Sequence, residues 1–175
     1  HQATATWGYA SAAALAVTAV LSPIVGALAD QTRRRKPWLL ACVLVGVAGT
    51  LALAFTPAWA WWSLLLAFGA AFIAFATGNV VYDSLLPAVA ESHELHAVSA
   101  RGFAWGYIGG GVLLAVHLAL LTMPARFGLA DAAAATRVVF VSVAVWWVLF
   151  SIPLFRTVPE PEAESALTPV EEAAL

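Results

Sequence analysis

The chain has 175 residues, of which 62% are hydrophobic and 10% are charged, and its net charge is −2. A soluble domain carries about 25% charged residues, so this chain has too few charges to cover a water-exposed surface. The slightly negative charge also argues against the strongly basic surface of a nucleic-acid-binding domain. We therefore expect a membrane protein with no nucleic-acid partner.

The apolar residues are concentrated in five blocks, which predict five transmembrane helices. A helix of about 20 residues crosses the apolar layer of a bilayer. The blocks are continuous and lack the alternating pattern of a membrane β-barrel, and only a helix satisfies its own backbone hydrogen bonds in such a stretch. The predicted spans are 7–29, 38–56, 60–82, 103–123 and 136–155, within an all-α bundle covering residues 1–156.

Basic residues predict the orientation of the bundle. Residues 33–36, Arg101 and Arg156 fall on one side, whereas only Arg126 and Arg137 fall on the other. Cytoplasmic loops carry the excess of Lys and Arg, so the first side is predicted to be cytoplasmic and residue 1 to be outside. An odd number of spans with an outside start indicates a further span before residue 1, so we expect a fragment.

After the fifth span, residues 157–175 are rich in glutamate and proline. Segments with many like charges and few apolar residues cannot form a packed core. This stretch is predicted to be an acidic, disordered linker on the cytoplasmic side.

The loop between the first two spans brings Gly26, Asp30, Arg34 and Arg35 together. Gly26 permits a close approach between helices. Asp30 lies at a helix C-terminus, where the helix dipole disfavours a carboxylate, so it needs either Arg34 or the N-terminus of another helix as a partner. Such a charge set can latch one conformation of a helix bundle. The alternative is a simple basic turn that follows a helix-terminal aspartate.

Two other sets of residues are candidates for function or packing. At the end of the third span, Asn79 and Asp83 share a helix face with a four-residue spacing, and Tyr82 lies beside them. They either line a solute pathway, or Asn79 binds a neighbouring helix while Asp83 lies in the membrane interface.

In the fourth span, glycines at a spacing of four predict a face for close helix packing. The residues predicted to pack against another helix are Gly102, Gly106, Gly109 and Gly110.

His117 is the ionisable residue deep inside the fourth span. Such a residue within a membrane is a candidate functional group, and histidine titrates near neutral pH, so proton coupling is one hypothesis. The alternative is a histidine that forms a hydrogen bond to a neighbouring helix.

No metal, cofactor or catalytic residue is predicted. His93 and His96 lie near Glu91 and Glu94 with irregular spacing in a loop that we expect to be solvated, and Cys42 is the single cysteine. The chain also lacks the motifs of an intramembrane enzyme, such as a metalloprotease helix or a nucleophile elbow.

The loop after the first span resembles the signature loop of the major facilitator superfamily, G-x-L-a-D-r-x-G-R-r/k. The matching positions are Gly26, Leu28, Asp30, Arg34 and Arg35. Gln31 and Arg33 stand where that loop usually has arginine and glycine.

Residues 82–87 and 99–111 are similar to motifs of one branch of this superfamily. Arg101, within the second motif, is a further candidate for the pathway or for coupling. That branch contains autophagy-related vacuolar amino-acid effluxers and uncharacterised bacterial permeases. The resemblance implies that the five spans are helices two to six of a six-helix N-terminal half, with helix one and the C-terminal half of the same chain missing.

The same resemblance implies what the whole protein does. It would transport a small polar solute, such as an amino acid, by alternating access across the bacterial cytoplasmic membrane. Its partners would be membrane lipid, the solute and, under the coupling hypothesis, a proton. The alternative is a scaffold or receptor that uses the same bundle and does not transport.

Overall fold

A computed structural model describes residues 2–160 of the chain as five long helices joined by short connections. The α-helices are α1 (Gln2–Thr32), α2 (Arg35–Phe55), α3 (Trp61–Ser84), α4 (Leu95–Thr122) and α5 (Ala132–Thr157). Short 3-10 turns occupy Leu86–Ala88 and Pro124–Phe127, and no strand occurs within residues 2–160. All five α-helices are long and apolar enough to cross a membrane, which confirms the predicted all-α polytopic bundle.

The helices are longer than the predicted spans, most clearly at the start of α4. This helix begins at Leu95, so Arg101 lies in its second turn and not beside a long loop. Residues 95–101 are too polar to be recognised as a span, but a helix needs no apolar surface where it continues beyond the bilayer. At the start of α5, the side chain of Asp131 accepts a hydrogen bond from the backbone N–H of Ala134 at 2.7 Å, which is a typical N-cap.

Helices α2 and α3 form the centre of the bundle and make its most extensive contact. Helix α1 packs against α3, and α5 packs against α2, whereas α4 has few contacts and these are mainly with α5. The buried apolar cluster lies where α1 ends, α2 begins and α3 ends. Its members are Ala29, Leu39, Val43, Val81 and Leu85. We call this end of the bundle the Asp30 end.

Glycines on α2 and α3 account for the close packing at the centre. The ring of Trp147 on α5 covers Gly46, so that a Cβ at this position would overlap it. A Cβ at Gly49 would lie 2.8 Å from the carbonyl oxygen of Ala67, and one at Gly78 would lie 3.2 Å from the Cβ of Cys42. Small residues let helix backbones approach in this way in membranes.

The glycines predicted to form a packing face on α4 have a different environment. Within residues 2–160, no atom lies within 4 Å of the position that a Cβ would take at Gly102, Gly106 or Gly110. Gly109 faces the ring of Trp146, with its Cβ position 3.5 Å from Cζ2. The contact partner of this glycine face is therefore absent from the described residues, and its packing role remains a prediction.

Candidate functional site

Asp30 lies in the last turn of α1, where the chain reverses direction to begin α2. Its carboxylate oxygen Oδ1 accepts from two nitrogens of Arg35, Nη2 at 2.8 Å and Nε at 2.9 Å. The sequence predicted either Arg34 or the N-terminus of another helix as the partner of Asp30. In the structure, its partner is Arg35. Arg35 also donates from Nη1 to the backbone carbonyl of Ser84 at 3.1 Å. One guanidinium thus joins the C-terminal ends of α1 and α3.

Both acceptors of Arg35 lie where a positive charge is favourable. The last carbonyls of a helix have no partner within the helix, and the helix dipole makes this end negative. The ion pair is nevertheless open to water, since 57% of the Asp30 side chain and 23% of the Arg35 side chain are exposed. Exposed ion pairs of this kind contribute at most about 1 kcal/mol, so the contact can break and reform readily.

The first turn of α2 makes further contacts with α5 and with the residues that follow it. The backbone N–H groups of Arg35 and Lys36 donate to the two carboxylate oxygens of Glu160, at 3.0 and 2.8 Å. The ammonium group of Lys36 donates to the carbonyl of Phe155 in the last turn of α5, at 3.2 Å. The start of α2 is therefore bonded to the ends of α1, α3 and α5. We call this set of contacts the helix-end junction; its side chains are Asp30, Arg35, Lys36 and Glu160.

Sequence reasoning missed Lys36 and Glu160 as parts of this site. Glu160 belongs to the stretch predicted to be a disordered linker, but residues 158–160 are described and Glu160 is half-buried. The remaining residues of that predicted linker, 161–175, lie outside the described residues. One signal could have indicated an external acceptor: Arg34, at the N-cap position of α2, has no side-chain oxygen to accept from the first N–H groups.

A cavity of about 670 Å³ lies among α2, α3 and α5. Its volume is within the range of about 300–1,000 Å³ that is common for small-molecule sites. None of the described residues that line it has a charged side chain. Its polar lining residues are Thr50, Asn79, Tyr82 and Ser151, beside Cys42 and many aromatic rings.

These four polar residues differ in their hydrogen bonds. The hydroxyls of Thr50 and Ser151 donate to carbonyls of their own helices, at 2.8 and 2.7 Å. Asn79 and Tyr82 have no hydrogen-bond partner among residues 2–160 and are exposed at the cavity. The other residues predicted to serve the pathway or coupling, Asp83, Arg101 and His117, do not line the cavity. Gly106, which was predicted to pack helices, does line it.

His117 lies on the contact between α4 and α5, where it is buried. Its Nε2 is 2.7 Å from Oγ of Ser142, and that oxygen is 2.8 Å from the carbonyl of Val139. A serine hydroxyl has one proton, so if it donates to Val139 it accepts from the Nε2–H of His117. This geometry agrees with the alternative in which the histidine bonds a neighbouring helix.

His93 lies in the connection before α4, whereas His96 lies in the first turn of α4 and not in the predicted loop. His93 Nδ1 lies 3.5 Å from Glu91 Oε2, and both side chains are largely exposed. Across residues 2–160, no three His, Cys, Asp or Glu side chains are grouped so that they could hold a metal ion.

Comparison with known proteins identifies the family to which this bundle belongs. Residues 1–173 match the family described as Vacuole effluxer Atg22 like. The chain belongs to this Atg22-like family. It is also 36% identical over 158 residues to the Uncharacterized MFS-type transporter YxiO of Bacillus subtilis (strain 168). These findings confirm the predicted branch of the major facilitator superfamily and show a multi-pass membrane protein of a transporter family.

The match to the Bacillus subtilis protein covers 90% of this chain and 37% of the relative. The Atg22-like chain therefore spans well under half the length of that transporter. No solved structure matches the chain significantly.

The Atg22-like chain departs from the facilitator signature loop at Arg33, and the backbone there explains why glycine is usual. Arg33 has a φ of 53°, which is in the left-handed region. In this conformation, a residue other than glycine destabilises the folded chain by about 1–2 kcal/mol. We expect Arg33→Gly to raise the stability of the Atg22-like chain by about 0.5–1 kcal/mol, because glycine also gains more freedom on unfolding.

Thermal unfolding in detergent measures this gain. Arg34→Gly is the matched control, because Arg34 has a φ of −126° and so has no left-handed strain to relieve. If both variants change the unfolding temperature equally, the gain does not come from the left-handed backbone at Arg33.

A second prediction concerns the contact between α4 and α5. His117→Leu and Ser142→Ala should each destabilise the protein, and the double variant should show a coupling energy of about 0.6 kcal/mol, with an upper bound of about 1.7 kcal/mol. The reason is that both variants remove the same hydrogen bond. Denaturant unfolding of the four proteins of this double-mutant cycle gives the coupling energy directly.

The same His117→Leu variant tests the hypothesis of proton coupling. We expect the pH profile of solute flux to keep its shape in the full-length protein, because the imidazole faces Ser142 and lies outside the cavity lining. A flat pH profile in this variant would instead assign the coupling role to His117.

Proposed function

We propose that the Atg22-like chain forms part of a permease that performs secondary active transport of a small polar solute, such as an amino acid. The chain covers 37% of its Bacillus subtilis relative, so in this proposal the activity belongs to a longer protein of the bacterial cytoplasmic membrane. The observation that carries the proposal is the helix-end junction, in which Arg35 of the signature loop joins Asp30 of α1 to the end of α3.

The junction suits a protein that works by alternating access. In such transporters, bundles of helices rock as nearly rigid bodies around a site near the middle of the membrane. The junction connects the ends of α1, α3 and α5 to the start of α2, so it would make these four helices move together. The excess of basic residues at this end supports a cytoplasmic location for it, according to the positive-inside rule.

The cavity supports a solute that has both polar and apolar parts. Asn79 offers an amide and Tyr82 offers a hydroxyl, and aromatic side chains such as Phe75 and Trp146 form much of the remaining lining. Small-molecule sites commonly combine a few polar groups with apolar walls in this way. Any charged group of the solute would then be bound outside this lining by residues of the longer protein, or it would be neutralised by a coupling proton.

Flux through proteoliposomes that contain the full-length protein tests the proposal. We expect time-dependent uptake of at least one labelled amino acid that responds to an imposed pH gradient and saturates with concentration. Protein-free vesicles and the Asp30→Asn variant are the controls. Folded protein that moves no amino acid, peptide or sugar would favour the scaffold or receptor alternative.

A further inference from the structure

Glu160 completes the N-terminus of a helix that lies more than 120 residues earlier in the chain. The first N–H groups of any helix lack partners within the helix, and this end carries a partial positive charge. In α2, the N-cap residue Arg34 makes no side-chain capping bond. The carboxylate of Glu160 instead accepts from the N–H groups of Arg35 and Lys36, one on each oxygen.

This carboxylate acts on the same residue that holds the signature loop together. The backbone of Arg35 is bonded to Glu160, while its side chain is bonded to Asp30 and to the carbonyl of Ser84. Lys36 reinforces the arrangement, because its ammonium group reaches the carbonyl of Phe155. The position of the Arg35 guanidinium therefore depends on where Glu160 holds the first turn of α2.

Packing below the junction restricts how far Glu160 can move relative to α2. Trp147 of α5 lies against Gly46 of α2, and Leu154 and Phe155 pack against the buried cluster at the Asp30 end. Glu160 follows the last residue of α5, Thr157, by three positions. It is thus the first acidic side chain after α5 and is placed by a helix that is itself fixed against α2.

We propose that Glu160 is a positioning residue that sets whether the helix-end junction forms. With its carboxylate on the first turn of α2, Arg35 reaches both Asp30 and Ser84. Without that carboxylate, α2 loses its cap and Arg35 loses its orientation. The consequence for transport rests on the function proposed above, whereas the structural link does not.

The test is Glu160→Gln in the full-length protein, with Glu94→Gln as the matched control. Glu94 is exposed and makes no side-chain capping bond at the start of α4. Glutamine keeps the size of the side chain but loses the charge and one of the two acceptors. We expect amide hydrogen exchange in peptides covering residues 33–38 to become about tenfold faster in Glu160→Gln and to stay unchanged in Glu94→Gln.

Transport of the same variants separates a positioning role from a general effect on folding. We expect Glu160→Gln to lower the maximal flux about fivefold while the half-saturation concentration stays within about twofold, since the cavity is not touched. Unchanged exchange at residues 33–38 would overturn the inference, and so would exchange that becomes faster in all five helices alike. Faster exchange at residues 33–38 together with normal flux would show that Glu160 positions α2 but does not affect transport.

The exchange result also stands by itself if the wild-type protein shows no flux. In that case the proposed transport function fails, and local exchange alone decides whether Glu160 positions α2 and Arg35.

Discussion

Under the transport function proposed above, replacing Arg35 with glutamine is expected to lower the rate of solute uptake by the full-length protein about tenfold, with little change in the amount of folded protein. The variant loses the ion pair with Asp30 and the hydrogen bond to Ser84, so the ends of α1 and α3 are no longer joined through α2. An exposed ion pair contributes at most about 1 kcal/mol, and a hydrogen bond from a charged, partly exposed guanidinium contributes about 1.5 kcal/mol. A tenfold population shift requires about 1.4 kcal/mol, so losing both contacts is enough to affect the transport cycle without unfolding the bundle.

Arg34→Gln is the matched control, because Arg34 matches the signature loop equally well but makes no ion pair in the described structure. We expect its uptake rate to stay within about twofold of the wild type. Asp30→Asn should give an effect between the two, because it removes the ion pair and leaves the bond from Arg35 to Ser84. Initial rates in proteoliposomes, normalised to the folded protein, provide the comparison. Equal loss in Arg34→Gln and Arg35→Gln would show that total charge matters and that the junction does not.

Gly49→Ala is expected to destabilise the bundle by about 1–3 kcal/mol, the range typical of overpacked cores. The added Cβ would lie 2.8 Å from the carbonyl oxygen of Ala67 and 3.0 Å from the backbone nitrogen of Ala71. Both atoms belong to the backbone of α3, so the contact can be relieved only if α2 and α3 move apart. These two helices make the most extensive contact in the described structure. Moving them apart should therefore weaken packing along the whole interface.

Thermal unfolding in detergent, followed by size-exclusion chromatography, measures this effect. Gly69→Ala on α3 is the control, because apart from the backbone of α3 itself no atom of residues 2–160 lies within 4 Å of its Cβ position. Alanine is favoured over glycine in a helix by up to about 1 kcal/mol, so this control should be neutral or slightly stabilising. If Gly49→Ala is as stable as Gly69→Ala, α2 and α3 are farther apart than the structure shows. Gly46→Ala is a weaker test, because the overlapping group is a Trp147 side chain that can rotate.

Hydropathy and charge were enough to determine the number and nature of the helices. A bilayer requires continuous apolar stretches of about 20 residues, and this requirement can be read directly from the chain. The signature loop around Asp30 and the motif at 99–111 were enough for the family. Hydropathy was less useful outside the apolar layer, where the first turns of α4 are polar but still helical.

The tertiary structure decided which residues meet. Arg34 and Arg35 are equivalent in the sequence pattern, but the left-handed turn at Arg33 directs Arg35 toward Asp30. Likewise, the glycine spacing on α4 marks a possible packing face, whereas the close contacts lie at glycines on α2 and α3 that have no such spacing signal. A linear pattern gives the spacing along one helix but not the rotation of that helix toward its neighbours.

Glu160 illustrates the same limit most clearly. By sequence it is one glutamate among several in an acidic stretch after the last span, 125 residues from Arg35. Only the packing of α5 against α2 brings its carboxylate to two unpaired backbone N–H groups. The chain by itself therefore determined five spans and a family, because lipid and local motifs constrain each segment separately. The junction that joins the helix ends depended on long-range contacts, which arise only when the helices pack.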